Sequence, residues 1–239
     1  MGAETFEVKL PSRGLAYDVP VEAIRMKYVT GSIEQVLAEV SLDNFDEKTH
    51  LALSMLVEGI DAKMLTLGDR LALLVQSRIN SYTKMYPIET VCDQCLEKVD
   101  IDIDLSAVEI RTLPDDFKQT EIVQFSDGNE VNVRLFRIAD ELNISRYEAQ
   151  GGKEGYLYRL AQCIDAPNLK NIEEKMIVLR SIRAVDIAKI KAYHEKNQHG
   201  LRLDAYKYVC PRCGMGATTP IPFRPELILP DGSTVAKYS

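Results

Sequence analysis

Two stretches of the sequence decide the fold, Val91-Cys-Asp-Gln-Cys-Leu96 and Val209-Cys-Pro-Arg-Cys-Gly214. Each stretch holds two cysteines with two residues between them. Alternating apolar residues predict strands on both sides of the first stretch, over Ile88–Val91 and Val99–Leu105. A third predicted strand, over Leu203–Val209, leads into the second stretch. Both cysteine pairs therefore lie in tight turns between strands, which we call the first and second knuckles.

Paired knuckles of this kind are typical of a tetrahedral zinc site with four thiolate ligands. We expect the ligands to be Cys92, Cys95, Cys210 and Cys213, with zinc as a structural cofactor. Gly214 follows the second knuckle, where a positive φ eases the turn, whereas the first knuckle has Leu96 at that position. Because four ligands close the coordination shell, no position is left for a catalytic water.

Three other interpretations of the cysteines stay open at this point. A redox pair needs a helix N-terminus to lower a thiol pKa, and neither knuckle opens a predicted helix. Two disulfides are disfavoured by the reducing compartment inferred below. Four reduced structural cysteines are the remaining alternative.

The spacing of the knuckles is unusual, because 114 residues separate Cys95 from Cys210. A metal ion held by both knuckles would clasp the two ends of an insertion over residues 96–209. Four thiolates and one zinc ion carry a formal charge of −2. Lys98, Lys207 and Arg212 lie near the knuckles in sequence and would offset it.

The residues before the first knuckle predict a small sheet followed by helices. Strands are predicted over Phe6–Tyr17, with a turn at Pro11–Gly14, and over Ala23–Val29. Helices are predicted from Ser32 to Val40, opened by a capping box with Gln35, from Asp46 to Val57, and from Thr66 onward.

Between the knuckles the sequence predicts a β-hairpin and then helices. The hairpin pairs Ile122–Phe125 with Val131–Leu135, and the helices cover residues 153–164, 171–180 and 184–196. The fold class is α+β: a small N-terminal sheet with a helical block, and a zinc-ribbon-like β module with a long helical insertion. We divide the chain into residues 1–85, 86–135, 136–202 and 203–239.

Composition excludes several classes of protein. The 239 residues are 46% hydrophobic, which is ordinary for a globular chain. The net charge of −7 is unfavourable for a protein that binds phosphate backbones. No apolar run is long enough to cross a bilayer, and no secretory signal is visible. We therefore expect a chain made and kept in a cytosol, with no membrane partner.

The remaining candidate residues favour structural roles, so we predict no catalytic and no cofactor-binding residues. The spacing of Asp100, Asp102 and Asp104 matches the start of a calcium-binding loop, but the glycine and glutamate that such a loop needs later are missing. We therefore expect the three aspartates to form the solvent-exposed face of a strand. The spacing of His194 and His199 suits a solvated helix end, and Cys163 suits a core position. Two further features carry no chemistry on their own: His50, and the glycine pair Gly214-Met-Gly216.

One segment resembles a known family. Leu10-Pro-Ser-Arg-Gly-Leu-Ala-Tyr17 is similar to the opening of a baseplate protein family of contractile-tailed, T-even-like bacteriophages. In that family the opening precedes a basic and apolar strand, here Ile24–Lys27, then a helical block, here Leu65–Arg78, and then a Cys-x-x-Cys pair.

The resemblance implies a non-enzymatic structural protein of the tail baseplate that acts through contacts with other baseplate and tail hub proteins. It also implies a place in the virion, after synthesis in the host bacterial cytoplasm. A hub assembly chaperone that leaves the particle is one alternative. A nucleic-acid-binding zinc-ribbon regulator is the other, although the acidic net charge of the chain disfavours nucleic acid as a partner.

Overall fold

The structure is a computed structural model that describes residues 4–19 and 21–238. These residues form several small antiparallel sheets and a set of short helices, which confirms the predicted α+β class. In chain order the strands are β1 (Thr5–Lys9), β2 (Ala23–Lys27), β3 (Val57–Glu58), β4 (Met85–Val91), β5 (Lys98–Asp104), β6 (Ile110–Arg111), β7 (Thr120–Gln124), β8 (Glu130–Arg134), β9 (Ile164–Asp165), β10 (Gly200–Leu201), β11 (Tyr206–Val209) and β12 (Gly216–Thr219). The helices are α1 (Gly31–Ala38), α2 (Phe45–Leu56), α3 (Leu67–Ser81), α4 (Ile138–Ala149), α5 (Gly155–Cys163), α6 (Ile172–Ser181), α7 (Ala184–Lys196) and α8 (Gly232–Tyr238).

The N-terminal sheet has the order β1-β2-β3, with each pair antiparallel. Phe6 lies opposite Met26, and the alternate residues Val8, Ile24 and Met26 are buried, as the period of two predicts. The predicted strand over Phe6–Tyr17 ends early, at Lys9, because the chain enters a series of tight turns.

The predicted start of α3 is confirmed, and that of α1 is wrong. Thr66 is the N-cap of α3, and its hydroxyl accepts a hydrogen bond from the Asp69 N–H at 3.3 Å. In α1 the helix begins at Gly31, so Ser32 is already inside the first turn. Its hydroxyl contacts that of Thr30 at 3.0 Å, and no capping box with Gln35 forms.

Helix α4 has no counterpart in the sequence prediction. Its N-cap is Arg137, an uncommon cap residue, and the free Arg137 N–H instead donates to the Asp140 side chain at 2.8 Å. The helix also buries two acids, Asp140 and Glu141, which interrupt its apolar stripe. Arg134 and Arg159 pair with these acids and make their burial tolerable.

The buried side chains form two hydrophobic clusters. The first unites the N-terminal sheet and α1–α3 with β7, β8 and α4–α7. The second lies beneath the knuckles, on β4, β5 and β12. Helix α3 contributes to both, with Leu73 and Leu74 in the first and Val75 in the second. The segment between the knuckles therefore shares its core with the N-terminal block. The division of the chain into four domains stays a prediction.

Helix α3 also anchors the end of the chain through a buried arginine. Arg78 is fully buried, and its guanidinium donates to the backbone carbonyls of Thr83, Met85 and Glu226. Burial lowers the pKa of Arg78 to about 10, so the side chain stays charged at neutral pH. The C-terminal segment is thus held against α3 and β4.

The N-terminal turns are fixed by a buried carboxylate at the start of α3. Asp69 accepts hydrogen bonds from the Ser12 N–H at 2.9 Å and from the Tyr17 hydroxyl. The same hydroxyl accepts from the Thr66 N–H at 3.1 Å. Burial, reinforced by Asp69, raises the pKa of Tyr17. The segment Leu10–Tyr17 is therefore folded onto the helix by its own polar groups.

Tyr17→Phe tests this network. We expect the free energy of unfolding to fall by about 1–3 kcal/mol, because a buried carboxylate loses a donor and the Thr66 N–H loses its acceptor. Urea titration measures the change. Tyr28→Phe is the matched control, since the Tyr28 ring packs on Phe6 and its hydroxyl takes part in no hydrogen bond in the described residues. Equal losses in the two variants would contradict the account.

Candidate metal centre

The first knuckle closes the β4–β5 hairpin with a fixed set of backbone hydrogen bonds. The Cys92 N–H donates to the Glu97 carbonyl at 3.0 Å, and the Leu96 N–H donates to the Cys92 carbonyl at 2.9 Å. The Gln94 N–H points at the Cys92 sulfur, at 3.4 Å. This turn directs the sulfurs of Cys92 and Cys95 to the same side.

The second knuckle, between β11 and β12, repeats this backbone. The Cys210 N–H donates to the Met215 carbonyl, and the Gly214 N–H to the Cys210 carbonyl, each at 2.9 Å. Gly214 has φ +73°, as predicted, and Leu96 at the equivalent position has φ +61°. The first knuckle therefore adopts the glycine conformation with a leucine, at an expected cost of about 1–2 kcal/mol.

The two knuckles meet, although they are far apart in the sequence. All four sulfurs lie within 4.8 Å of one another, and those of Cys95 and Cys210 are 3.9 Å apart. No disulfide joins them, because a disulfide needs about 2.05 Å between sulfurs. Four sulfurs around a metal at about 2.3 Å stand about 3.8 Å apart in a tetrahedron. The cluster could hold one metal ion.

Packing against the second hydrophobic cluster holds the knuckles in this arrangement. Cys92 and Cys210 are buried in the second hydrophobic cluster, Cys95 is half-buried and Cys213 is exposed. The hydroxyls of Thr90 on β4 and Thr219 on β12 are 2.7 Å apart and link the two hairpins. Two sulfurs are thus set by the core, and the other two close the site from the solvent side.

The surroundings of the sulfurs stabilise the thiolate form of Cys210 and destabilise that of Cys95. The Cys213 N–H, directed at Cys210, is the main influence that lowers the pKa of Cys210 to about 7. The Glu97 N–H favours the thiolate of Cys95, but burial and the neighbouring thiols outweigh it and raise the pKa of Cys95 to about 11. Four adjacent thiolates repel one another without a cation, so this donor set fits a bound metal ion.

We expected three basic residues, Lys98, Lys207 and Arg212, to offset the negative charge of a zinc ion with four thiolates. The structure only partly confirms this expectation. Lys98 pairs with Glu89 at 3.1 Å, and both Lys207 and Arg212 are exposed. The hydroxyl of Tyr208 is buried without a hydrogen-bond partner. Burial, and then the charges of Cys92 and Cys210, raise the pKa of Tyr208, so this neutral phenol lies in the field of the sulfurs.

Among the described residues, the four cysteines are the one group of three or more His, Cys, Asp or Glu side chains placed closely enough to hold a metal ion. The prediction for the aspartates on β5 is confirmed: Asp100 and Asp102 are exposed and Asp104 is half-buried, while the intervening residues form the core. His50 contacts the Ser54 hydroxyl at 3.4 Å.

The prediction of a solvated helix end for both histidines is wrong. His194 stacks on Phe136, and its Nε2 lies 3.4 Å from the sulfur of the buried Cys163. His199 is 2.7 Å from the Thr66 hydroxyl at the start of α3. Sequence spacing missed these contacts because both partners come from distant segments. The predicted core position of Cys163 is confirmed.

The Cys163–His194 pair is not arranged as an activated nucleophile. Burial raises the pKa of Cys163 to about 12 and lowers the pKa of His194 to about 4. Both groups are therefore neutral at pH 7, and a thiolate is needed for nucleophilic attack. The pair packs the interior between α5 and α7.

His194 makes the stability of the fold depend on pH. The unfolded chain binds a proton below about pH 6.5, whereas folded His194 stays neutral down to about pH 4, so stability falls as the pH drops through this window. We expect His194 to account for a loss of roughly 2–3 kcal/mol, which His194→Gln removes. Urea titrations from pH 7 to pH 4 compare the two chains. An equal change in the free energy of unfolding of both chains between pH 7 and pH 4 would contradict this role of His194.

None of the helices over residues 4–19 and 21–238 is long and apolar enough to span a membrane. In the comparison with protein families, the family model described as "T4 bacteriophage base plate protein" matches residues 3–221. The matched range includes the turns at the N-terminus and both knuckles. Comparison with curated proteins gives no significant match, and comparison with solved structures gives none either.

Proposed function

The chain belongs to the T4 bacteriophage base plate protein family, and on that premise we propose that it is a structural, non-enzymatic component of a contractile-tail baseplate. It acts through protein–protein contacts in or around the tail hub, in the virion, after synthesis in the host cytoplasm. The observation that carries this proposal is the family match over residues 3–221 of 239. A rigid multi-subunit assembly needs large permanent interfaces and stable subunits.

The same proposal includes a structural zinc ion held by Cys92, Cys95, Cys210 and Cys213. Thiolates are soft ligands, and a closed tetrahedral set of four is characteristic of structural zinc. When bound, zinc supplies two positive charges that make four adjacent thiolates compatible. The chain itself orients the sulfurs through the repeated backbone turns and the Thr90–Thr219 contact.

The two hydrophobic clusters indicate which part of the chain the metal stabilises. The first cluster already joins the N-terminal block to the segment between the knuckles. The second cluster is smaller and lies directly under the sulfurs. Zinc therefore acts mainly on the two knuckle hairpins, and it is less important for α1–α7.

Metal removal tests the zinc proposal. We expect about one zinc per purified chain, and close to none in Cys92→Ser or Cys213→Ser. Chelation should increase hydrogen exchange in β4, β5, β11 and β12 far more than in α1–α7. Cys163→Ala, which changes a cysteine outside the cluster, is the control and should keep the metal. Retention of zinc in both serine variants would overturn the assignment.

The charges around the knuckles favour this structural role over the nucleic-acid alternative. Lys207 and Arg212 are basic, but Asp93 and Glu97 lie on the other knuckle of the same cluster. A phosphate-binding surface needs positive charges that are not opposed in this way. The hub assembly chaperone shares the protein contacts and differs in whether the chain stays in the particle.

Mass spectrometry of purified particles tests the baseplate proposal. We expect the chain in tails and isolated baseplates, at a fixed ratio to other baseplate proteins, and no assembled baseplates when its gene is deleted. A deletion that leaves normal infectious particles would contradict the proposal. A chain needed for assembly but missing from the particle would replace the structural role with the chaperone role.

A further inference from the structure

Tyr208 places a buried hydroxyl beside the sulfur cluster. The residue lies on β11, two positions before Cys210, and it packs against the second hydrophobic cluster, which contains Cys92 and Cys210. Its oxygen is shielded from solvent, and no group in the described part of the chain completes a hydrogen bond with it. A buried hydroxyl without a partner is destabilising, so its presence at this place needs a physical reason.

The neighbour of this hydroxyl is the first knuckle. The charges of Cys92 and Cys210 act on the phenol, Cys92 acts on it as a hydrogen-bond partner as well, and Asp93 acts on it more weakly. The Tyr208 oxygen and the Cys92 sulfur are therefore close, but they are not aligned in a completed hydrogen bond. Tyr208 belongs to the β11–β12 hairpin and Cys92 follows β4, so a bond between them would join the two knuckles.

Two other tyrosines have buried hydroxyls without a partner, and they differ from Tyr208 in their surroundings. The neighbour of Tyr82 is the Glu34 carboxylate, and that of Tyr238 is the Asp102 carboxylate. Both acids are exposed, so water can satisfy them. Among these three hydroxyls, that of Tyr208 alone faces a candidate metal ligand.

The Cys92 sulfur needs hydrogen-bond donors from within the chain. Cys92 is fully buried, so water cannot donate to its sulfur, whereas Cys213 is exposed. The Gln94 N–H already donates to the Cys92 sulfur at 3.4 Å. The nearby Lys98 is exposed and pairs with Glu89 at 3.1 Å, so stabilisation of this buried thiolate falls to neutral donors.

We propose that the Tyr208 hydroxyl donates a hydrogen bond to the Cys92 thiolate when the four cysteines hold their metal ion. The inference rests on the structural zinc proposed above, and it assigns a further residue to that site. A hydrogen bond to a metal-bound thiolate withdraws negative charge from the sulfur, which lessens the repulsion among the four ligands. Tyr208 thus acts through Cys92 and is not itself a ligand.

The affinity for zinc tests this role. Hydrogen-bond partners of metal ligands commonly contribute roughly 10–100-fold to metal affinity, so we expect Tyr208→Phe to bind zinc about tenfold more weakly in competition with a chromophoric chelator. Tyr206→Phe is the matched control. Tyr206 lies two residues earlier on the same strand and is likewise half-buried, but its hydroxyl accepts from the Asp104 N–H at 3.4 Å, at the end of β5 remote from the knuckle. This variant should bind zinc as the natural chain does.

Urea titration with and without metal separates this role from simple packing. In excess chelator the hydroxyl has no metal-bound thiolate to pair with, so Tyr208→Phe should be at least as resistant to urea as the natural chain. In the presence of zinc the same variant should be less resistant than the natural chain. A residue that only packs the core would change the free energy of unfolding in the same direction under both conditions.

NMR of the cadmium-loaded chain observes the hydrogen bond itself. Cadmium is a soft cation that thiolates bind in place of zinc, and its nucleus gives an NMR signal. We expect a slowly exchanging Tyr208 hydroxyl proton that is coupled to cadmium through the Cys92 sulfur. This coupling should be absent in Tyr208→Phe and present in Tyr206→Phe.

Three results would overturn the inference and leave the zinc site intact. They are a Tyr208→Phe variant with the zinc affinity of the natural chain, a loss of stability that is equal with and without metal, and a cadmium-loaded natural chain without the coupling. A natural chain that binds neither zinc nor cadmium would remove the zinc site itself, and this inference with it. The two failures are therefore distinguishable.

Discussion

Four sulfur atoms from two turns, with 114 residues between Cys95 and Cys210, lie within 4.8 Å of one another. At such separations thiolates repel each other strongly unless a cation lies among them. The rest of the knuckle region depends on how this repulsion is balanced. Core packing under Cys92 and Cys210 fixes half of the donor set, and the backbone N–H groups of the turns stabilise the sulfurs. We propose that a single metal ion completes the balance.

Helix α3 connects this region to the remainder of the molecule. Its first turn holds the N-terminal segment through Asp69, and its last turns hold the C-terminal segment through Arg78. Both side chains are buried: backbone carbonyls accept from Arg78, whereas Asp69 accepts from one backbone N–H and from the Tyr17 hydroxyl. Such contacts are specific in geometry, because a buried charge without its partners would be strongly destabilising. The helix therefore fixes the positions of the N-terminal and C-terminal segments at once.

Several features of the fold could be predicted from local sequence, because local physics determines them. Three features depend on neighbouring residues alone. They are the alternation of buried and exposed residues in β1, β2 and β5, the Thr66 cap, and the Cys-x-x-Cys turns. Helix α4 was missed because its buried Asp140 and Glu141 look like surface residues until Arg134 and Arg159 are placed beside them. The contacts of His194 and His199 likewise depend on partners far away in the sequence. The resemblance of the N-terminal segment to a baseplate family is confirmed by the family match.

A rigid fold suits the baseplate role that we propose, and a metal ion held by both knuckles would contribute to that rigidity. X-ray absorption at the zinc edge, on the purified full-length chain, tests this metal site most directly. The account predicts a single shell of four sulfurs at about 2.3 Å. A shell with nitrogen or oxygen ligands, or with fewer than four sulfurs, would contradict it.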